Sequence, residues 1–282
     1  MTRASDLVLS AGLSLPALAL TACVGTTGGD LVTFNAAAAG PADATAGQPY
    51  RLPAPTDLGY EVTLTQATLH IGALYLNSTV PTSGAQDTDC ILPGVYVAQV
   101  TGGLDLDVLS PDPQPFPVQG QGTETPATTG EVWMMHGDVN DTGDTLPILQ
   151  LAGTAVGPAG TFPFAASLTI GANRLTPVTN PATPSEHPIC KQHIVSPILL
   201  QTDSTTDITP RNGGSLLLRV DPGGWLTNVD FSRLAETSTS PPLYTFADAL
   251  LVDQPSTNLY ANLHASRTAG VYDFFWIDSP NP

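Results

Sequence analysis

The chain has 282 residues and a net charge of −17, from 25 acidic and 8 basic side chains, of which Lys191 is the single lysine. Such a chain repels nucleic acid and anionic lipid surfaces, so nucleic acid is excluded as a partner. With 26 glycines and 27 prolines, long helices are disfavoured, while short strands joined by turns are easily built.

The N-terminus reads Met-Thr-Arg, then an apolar run from Leu7 to Leu20. That run is shorter than the roughly 20 residues that span a bilayer, and it fits the apolar segment of a signal peptide. It ends in Leu20-Thr21-Ala22-Cys23, which resembles the lipobox of bacterial lipoproteins. The resemblance implies cleavage after residue 22, acylation of Cys23 and attachment to a membrane by several acyl chains. Val24 follows the cysteine where an Asp would signal retention at the inner membrane, so the resemblance implies the outer membrane. The expected division is a signal peptide at 1–22, a tether at 23–30 and a single β domain at 31–282.

Alternating and apolar runs predict strands at 31–35, 60–65 and 69–76. Further strands are expected at 95–100, 104–109, 131–136, 148–156, 162–170, 194–200, 215–220 and 270–276. Helices are expected at 244–251 and, shorter, at 258–264. Nine to eleven strands with regular turns point to an all-β fold, an antiparallel β-sandwich of immunoglobulin-like or jelly-roll-like type.

Three cysteines leave an even pair once Cys23 is acylated. In an oxidising compartment Cys90 and Cys190 are expected to form a disulfide. Closing that loop would add about 4–5 kcal/mol in the chain-entropy picture.

Three stretches carry metal-ligand chemistry. In His187-Pro-Ile-Cys190-Lys-Gln-His193 two imidazoles flank a thiol, a set suited to copper or zinc. Pro188 argues for a loop, and the disulfide competes for the thiol. In Glu131-Val-Trp133-Met134-Met135-His136-Gly-Asp138 a strand would place Met134, His136 and Asp138 on one face, with Trp133 and Met135 on the other. Thioether and imidazole are soft donors for copper. His70 could join His136 if their strands pair; the alternative is that Trp133 and the methionines are core. In the third stretch Asp138, Asn140 and Asp144 fall at positions 1, 3 and 7 of an EF-hand-like calcium loop, with Gly143 at the turn. Thr142 and Leu149 depart from that pattern, and a polar hairpin turn is the alternative.

No Gly-x-Ser-x-Gly elbow, HExxH pair or phosphate loop is present, so a non-enzymatic role is expected. The early Val-Thr-Phe strand, the Pro/Gly-rich loop and the run from Thr65 to Leu76 resemble the exported MbnP-like proteins linked to copper handling. The leading reading is a lipid-anchored envelope lipoprotein, a non-enzymatic binding or structural module, with two sharper alternatives. One is that it binds a metal, copper ahead of calcium or zinc. The other is a module for an envelope protein or glycan, using Trp225, Tyr244 or Trp276 exposed at loop ends.

Overall fold

The computed structural model describes residues 29–79, 95–134, 146–169, 195–199, 208–248, 252–263 and 270–278. Of the candidate site residues, Cys23, Cys90, His136, Asp138, Asn140, Asp144, His187, Cys190 and His193 lie outside the described residues.

Sixteen strands lie among the described residues. The first eight are β1 (Leu31–Ala39), β2 (Tyr50–Arg51), β3 (Glu61–Ile71), β4 (Ala73–Asn77), β5 (Tyr96–Val100), β6 (Leu104–Asp107), β7 (Gln114–Pro115) and β8 (Gly120–Thr123). The rest are β9 (Thr129–Trp133), β10 (Pro147–Gly157), β11 (Gly160–Thr169), β12 (Val195–Leu199), β13 (Ser215–Val220), β14 (Ala235–Thr239), β15 (Pro242–Thr245) and β16 (Tyr272–Ile277). They form a nine-stranded sheet in the order β12-β9-β4-β5-β8-β1-β13-β16, with β7 also on β1. The second sheet has seven strands, β14-β15-β11-β10-β3-β2, with β6 also on β3. The all-β, sandwich-like expectation holds. The purely antiparallel expectation does not, because β1 runs parallel to β13 and β11 parallel to β15.

Residues 61–77 show how the sequence builds both sheets. Val62 and Leu64 point to the core from even positions, whereas Ala67, Leu69 and Ile71 do so from odd ones. An alternating strand cannot do this without an extra residue. The ladder to β10 supplies it: Ala152 faces Gln66 and Gly153 faces Leu64, so Thr65 is bulged. What reads as two strands of opposite phase is therefore one strand of 11 residues. At Gly72 the chain then leaves the second sheet, and β4 enters the first, with Leu74 and Leu76 fully buried.

One contiguous cluster of buried side chains draws on both sheets. Phe162, Phe164, Phe231 and Phe246 stack edge-on or tilted there, with Tyr60 on Phe231 at 5.1 Å. Part of the core is closed by the helix α1 (Gln254–Leu263) and two 3-10 turns, Gly224–Leu226 and Phe231–Arg233. Asp253 caps α1 by accepting from the Ser256 N–H at 2.7 Å. Gln254, Asn258 and Asn262, spaced four apart and so on one helix face, donate amide N–H groups to the carbonyls of Trp225, Thr227 and Asn228. The helix expected at 244–251 is not formed as such: 242–245 is strand β15, paired with β14 and β11. The helix expected at 258–264 is present and starts earlier, because the Asp253 cap sets its beginning.

Strand β8 escapes the apolar pattern because it is built on glycine. A Cβ on Gly122 would lie 2.5 Å from the Val97 carbonyl oxygen and 2.6 Å from the Ala98 Cβ. Gly122→Ala should therefore cost about 1–3 kcal/mol, read as a lower midpoint in urea unfolding; an unchanged midpoint would show that β5 and β8 do not approach this closely.

Candidate functional site

Strand β9 carries most of the chemistry the described residues hold. Its odd positions share a face with those of β4. The register sets Tyr75 beside Glu131, Asn77 beside Thr129 and Ala73 beside Trp133. Tyr96 on β5 lies opposite Asn77. Glu131 is fully buried, and Trp133 nearly so.

The carboxylate of Glu131 is held at both oxygens. Asn77 Nδ2 donates to Oε1 at 2.9 Å, and the Trp133 indole N–H donates to Oε2 at 2.7 Å. The Tyr75 ring lies 5.2 Å from that of Trp133 and 5.0 Å from that of Tyr96. Burial raises the Glu131 pKa above the usual glutamate range, and the two donated hydrogen bonds only partly offset it. Burial, and then the Glu131 charge, push the Tyr96 phenol upward too. The Asn77 Oδ1 atom is buried with no hydrogen-bond partner among the described residues. An O–H on a protonated Glu131 would suit that acceptor, since an amide can exchange its oxygen and nitrogen by flipping.

His70 sits on β3 and faces Asp105 of β6, its register partner. Nδ1 lies 2.6 Å from Asp105 Oδ1. The imidazole is buried while the carboxylate is largely exposed. Gly103 lies beside the ring, whose Cε1 would stand at ordinary contact distance, 3.4 Å, from a Cβ at that position. Asp105 thus orients the imidazole.

β3 pairs with β2, β6 and β10, whereas β9 pairs with β4 and β12. Among the described residues β3 and β9 thus share no ladder, so the condition under which His70 would join His136 is not met by these strands; His136 itself lies outside the described residues. Near the end of β3, the Gly72 N–H donates to the Trp133 carbonyl at 2.7 Å. Met134 is fully buried, on the opposite face from Trp133 as expected. The Tyr272 hydroxyl approaches its sulfur at 3.9 Å but gives its hydrogen to the Leu263 carbonyl, at 3.0 Å the better acceptor. Met134 is therefore packed as core. Among the described residues, no group of three or more His, Cys, Asp or Glu side chains is gathered as a metal site requires.

The expected aromatic contacts also change. Trp225 is fully buried beneath α1, not exposed at a loop end. Trp276 packs edge-on against Phe34, and Tyr244 against Phe162. Trp225 is thus core, while Tyr244 and Trp276 are half-buried and pack against it.

The nest around Glu131 was missed from sequence. Its signal was present in Glu131-Val132-Trp133: a carboxylate and an indole two apart share a strand face, within a run otherwise apolar or glycine.

No protein-family model and no curated protein sequence matches the chain. Among solved structures it is similar to MbnP from Methylosinus trichosporium, with a TM-score of 0.39 and 10% identity over 87% of this chain and 98% of that one.

The raised Glu131 pKa has a definite sign. The folded state holds this proton more tightly than the unfolded state does. The resulting stability is fully present below the unfolded glutamate pKa and is lost as pH rises through the folded one. Urea unfolding across that window should show stability falling with pH in the wild type and a flatter profile in Glu131→Gln. Parallel profiles would mean that Glu131 titrates normally.

Proposed function

We propose that the chain is a lipid-anchored module of the cell envelope, held at the outer membrane by acyl chains on Cys23 and oxidised at Cys90 and Cys190. It binds a ligand or an envelope protein partner and does not catalyse. The observation that carries this reading is where β1 begins. β1 starts at Leu31, eight residues after Cys23 and directly after the tether read at 23–30. It runs inside the larger sheet, with β8 and β7 on one edge and β13 on the other. A pull on the anchor would be borne by a strand bonded along both edges.

The lipobox and the cysteine parity support the compartment together, because acylation of one thiol leaves a pair for an oxidising environment. Among the described residues no helix is long and apolar enough to cross a membrane, so the anchor is the means of attachment in this reading. Copper is the ligand we put first, on the imidazoles of His136, His187 and His193. Calcium at Asp138, Asn140 and Asp144 ranks below it, and zinc last. The donor types support that order: imidazole suits copper, and the carboxylate loop lacks its closing acid. His70 is committed to Asp105 and Met134 to the core, so neither heads the ligand set.

Intact mass of the protein purified from membranes, before and after reduction, tests the anchor and the disulfide in one sample. The expected chain starts at an acylated Cys23 and gains two hydrogens on reduction. An unacylated chain contradicts the anchor, and two free thiols contradict the disulfide. Titration of the apo protein with copper should show stoichiometric uptake that falls in His136→Ala and His193→Ala; no uptake in the wild type removes the metal reading.

A further inference from the structure

One face of the larger sheet differs from the rest of this acidic surface. Leu31, Thr33, Asn35 and Ala37 project from β1 on the side away from the core. The register extends that face: Asn35 lies beside Ser215 and Ala37 beside Leu217 on β13. Ser215 in turn lies beside Ile277, and Leu217 beside Phe275, on β16. The same face holds an apolar groove of about 380 Å³, lined among others by Ala37, Pro115, Val118, Leu217 and Ile277. Eight large apolar side chains are exposed among the described residues, and four of them, Leu31, Val118, Phe275 and Ile277, belong to this face. Leu31 is the most exposed of all, at 72%. Apolar residues scattered singly need no account, but half of them gathered on one face mark an interaction surface.

The charges sharpen the contrast. Across these three strands the rows from Asn35 to Ala37 contain no acidic residue, although the chain carries 25. Acids occur at the ends of the face, three of them beside an arginine. Asp278 bonds Arg211 at 3.0 Å, Glu124 lies 3.7 Å from the same guanidinium, and Asp273 stands in register with Arg219. An apolar face free of charge at its centre suits an uncharged or zwitterionic lipid surface, and the remainder of a chain at −17 would be repelled from an anionic one.

The anchor lies at the same place. Residues 24–30 can span at most about 25 Å when fully extended. Leu31 follows directly, and Asn35 is only about 13 Å further along the strand. We infer that the β1–β13–β16 face lies against the bilayer that holds Cys23, with Leu31, Phe275 and Ile277 touching lipid and the groove beside Val118 turned toward it. This rests on the anchoring proposed above and adds an orientation to it: the smaller sheet and α1 are presented away from the membrane.

The test uses the full-length protein in phosphatidylcholine vesicles containing a lipid with a photoactivatable diazirine on its acyl chain. Peptides are mapped by mass spectrometry, and the acyl mass is read in the same run. Peptides holding Leu31 and Phe275–Ile277 should be labelled several-fold more than those holding Val156 or Val252, which are exposed apolar controls elsewhere. The pair Phe275→Ser and Ile277→Ser, both at exposed positions, should lower β16 labelling with the acyl mass unchanged. Acylated protein with equal or no labelling on β16 overturns the orientation while leaving the anchor intact. Cross-links between two chains through β16 would assign the face to a second copy and overturn it likewise. Absence of acyl mass overturns the anchor itself, and the orientation with it.

Discussion

The hydrogen bond from the Gly72 N–H to the Trp133 carbonyl marks the constraint on which the rest of the molecule depends. At this residue the chain passes from the smaller sheet to the larger one, with a single residue between β3 and β4. Ile71 is the last side chain buried from one sheet, and Leu74 the first that points to the core from the other. A crossing this short leaves no slack, so the register of β4 against β9 follows from where β3 ends. That register sets Tyr75 beside Glu131 and Asn77 beside Thr129, and so builds the buried carboxylate nest. The bulge at Thr65 serves the same end. Without it, Leu69 and Ile71 would turn outward and His70 inward.

Burying Glu131 costs free energy that only its donors and a retained proton can offset. The Trp133 indole and the Asn77 amide occupy both carboxylate oxygens, and the rings of Tyr75 and Tyr96 stand alongside. Such a nest specifies the pairing of β4, β5 and β9 more sharply than aliphatic side chains would, because a register slip would leave a buried acid without donors.

Much of the architecture was legible from residue pattern. β13 falls where its run of three leucines before Arg219 and Val220 places it, and β10 and β11 agree within a residue or two. Strands lacking an apolar stripe were not legible. β8 contains Gly120 and Gly122, whose missing side chains admit the Phe34 ring and the β5 backbone, and β14 is polar and exposed. The run at 244–251 has helical apolar spacing, yet Tyr244 and Thr245 are claimed by pairing to β11, a long-range contact that local pattern does not register. Trp225 looked available because a Pro-Gly-Gly turn precedes it; α1 covers it through Asn262. Of the site, the separation of Trp133 and Met134 onto opposite faces was readable, whereas Asn77 as the partner of Glu131 depends on a ladder between residues 54 apart.

The central claim is that the crossing at Gly72 fuses the two sheets into one cooperative unit. Amide hydrogen exchange as a function of denaturant tests it most directly, by comparing β10 at the centre of the smaller sheet with β4 in the larger one. The account predicts that both sets of amides exchange only through global unfolding, with the same free energy and the same denaturant slope. A lower free energy for one sheet, with the other still protected, would show that the sheets open separately and would contradict it.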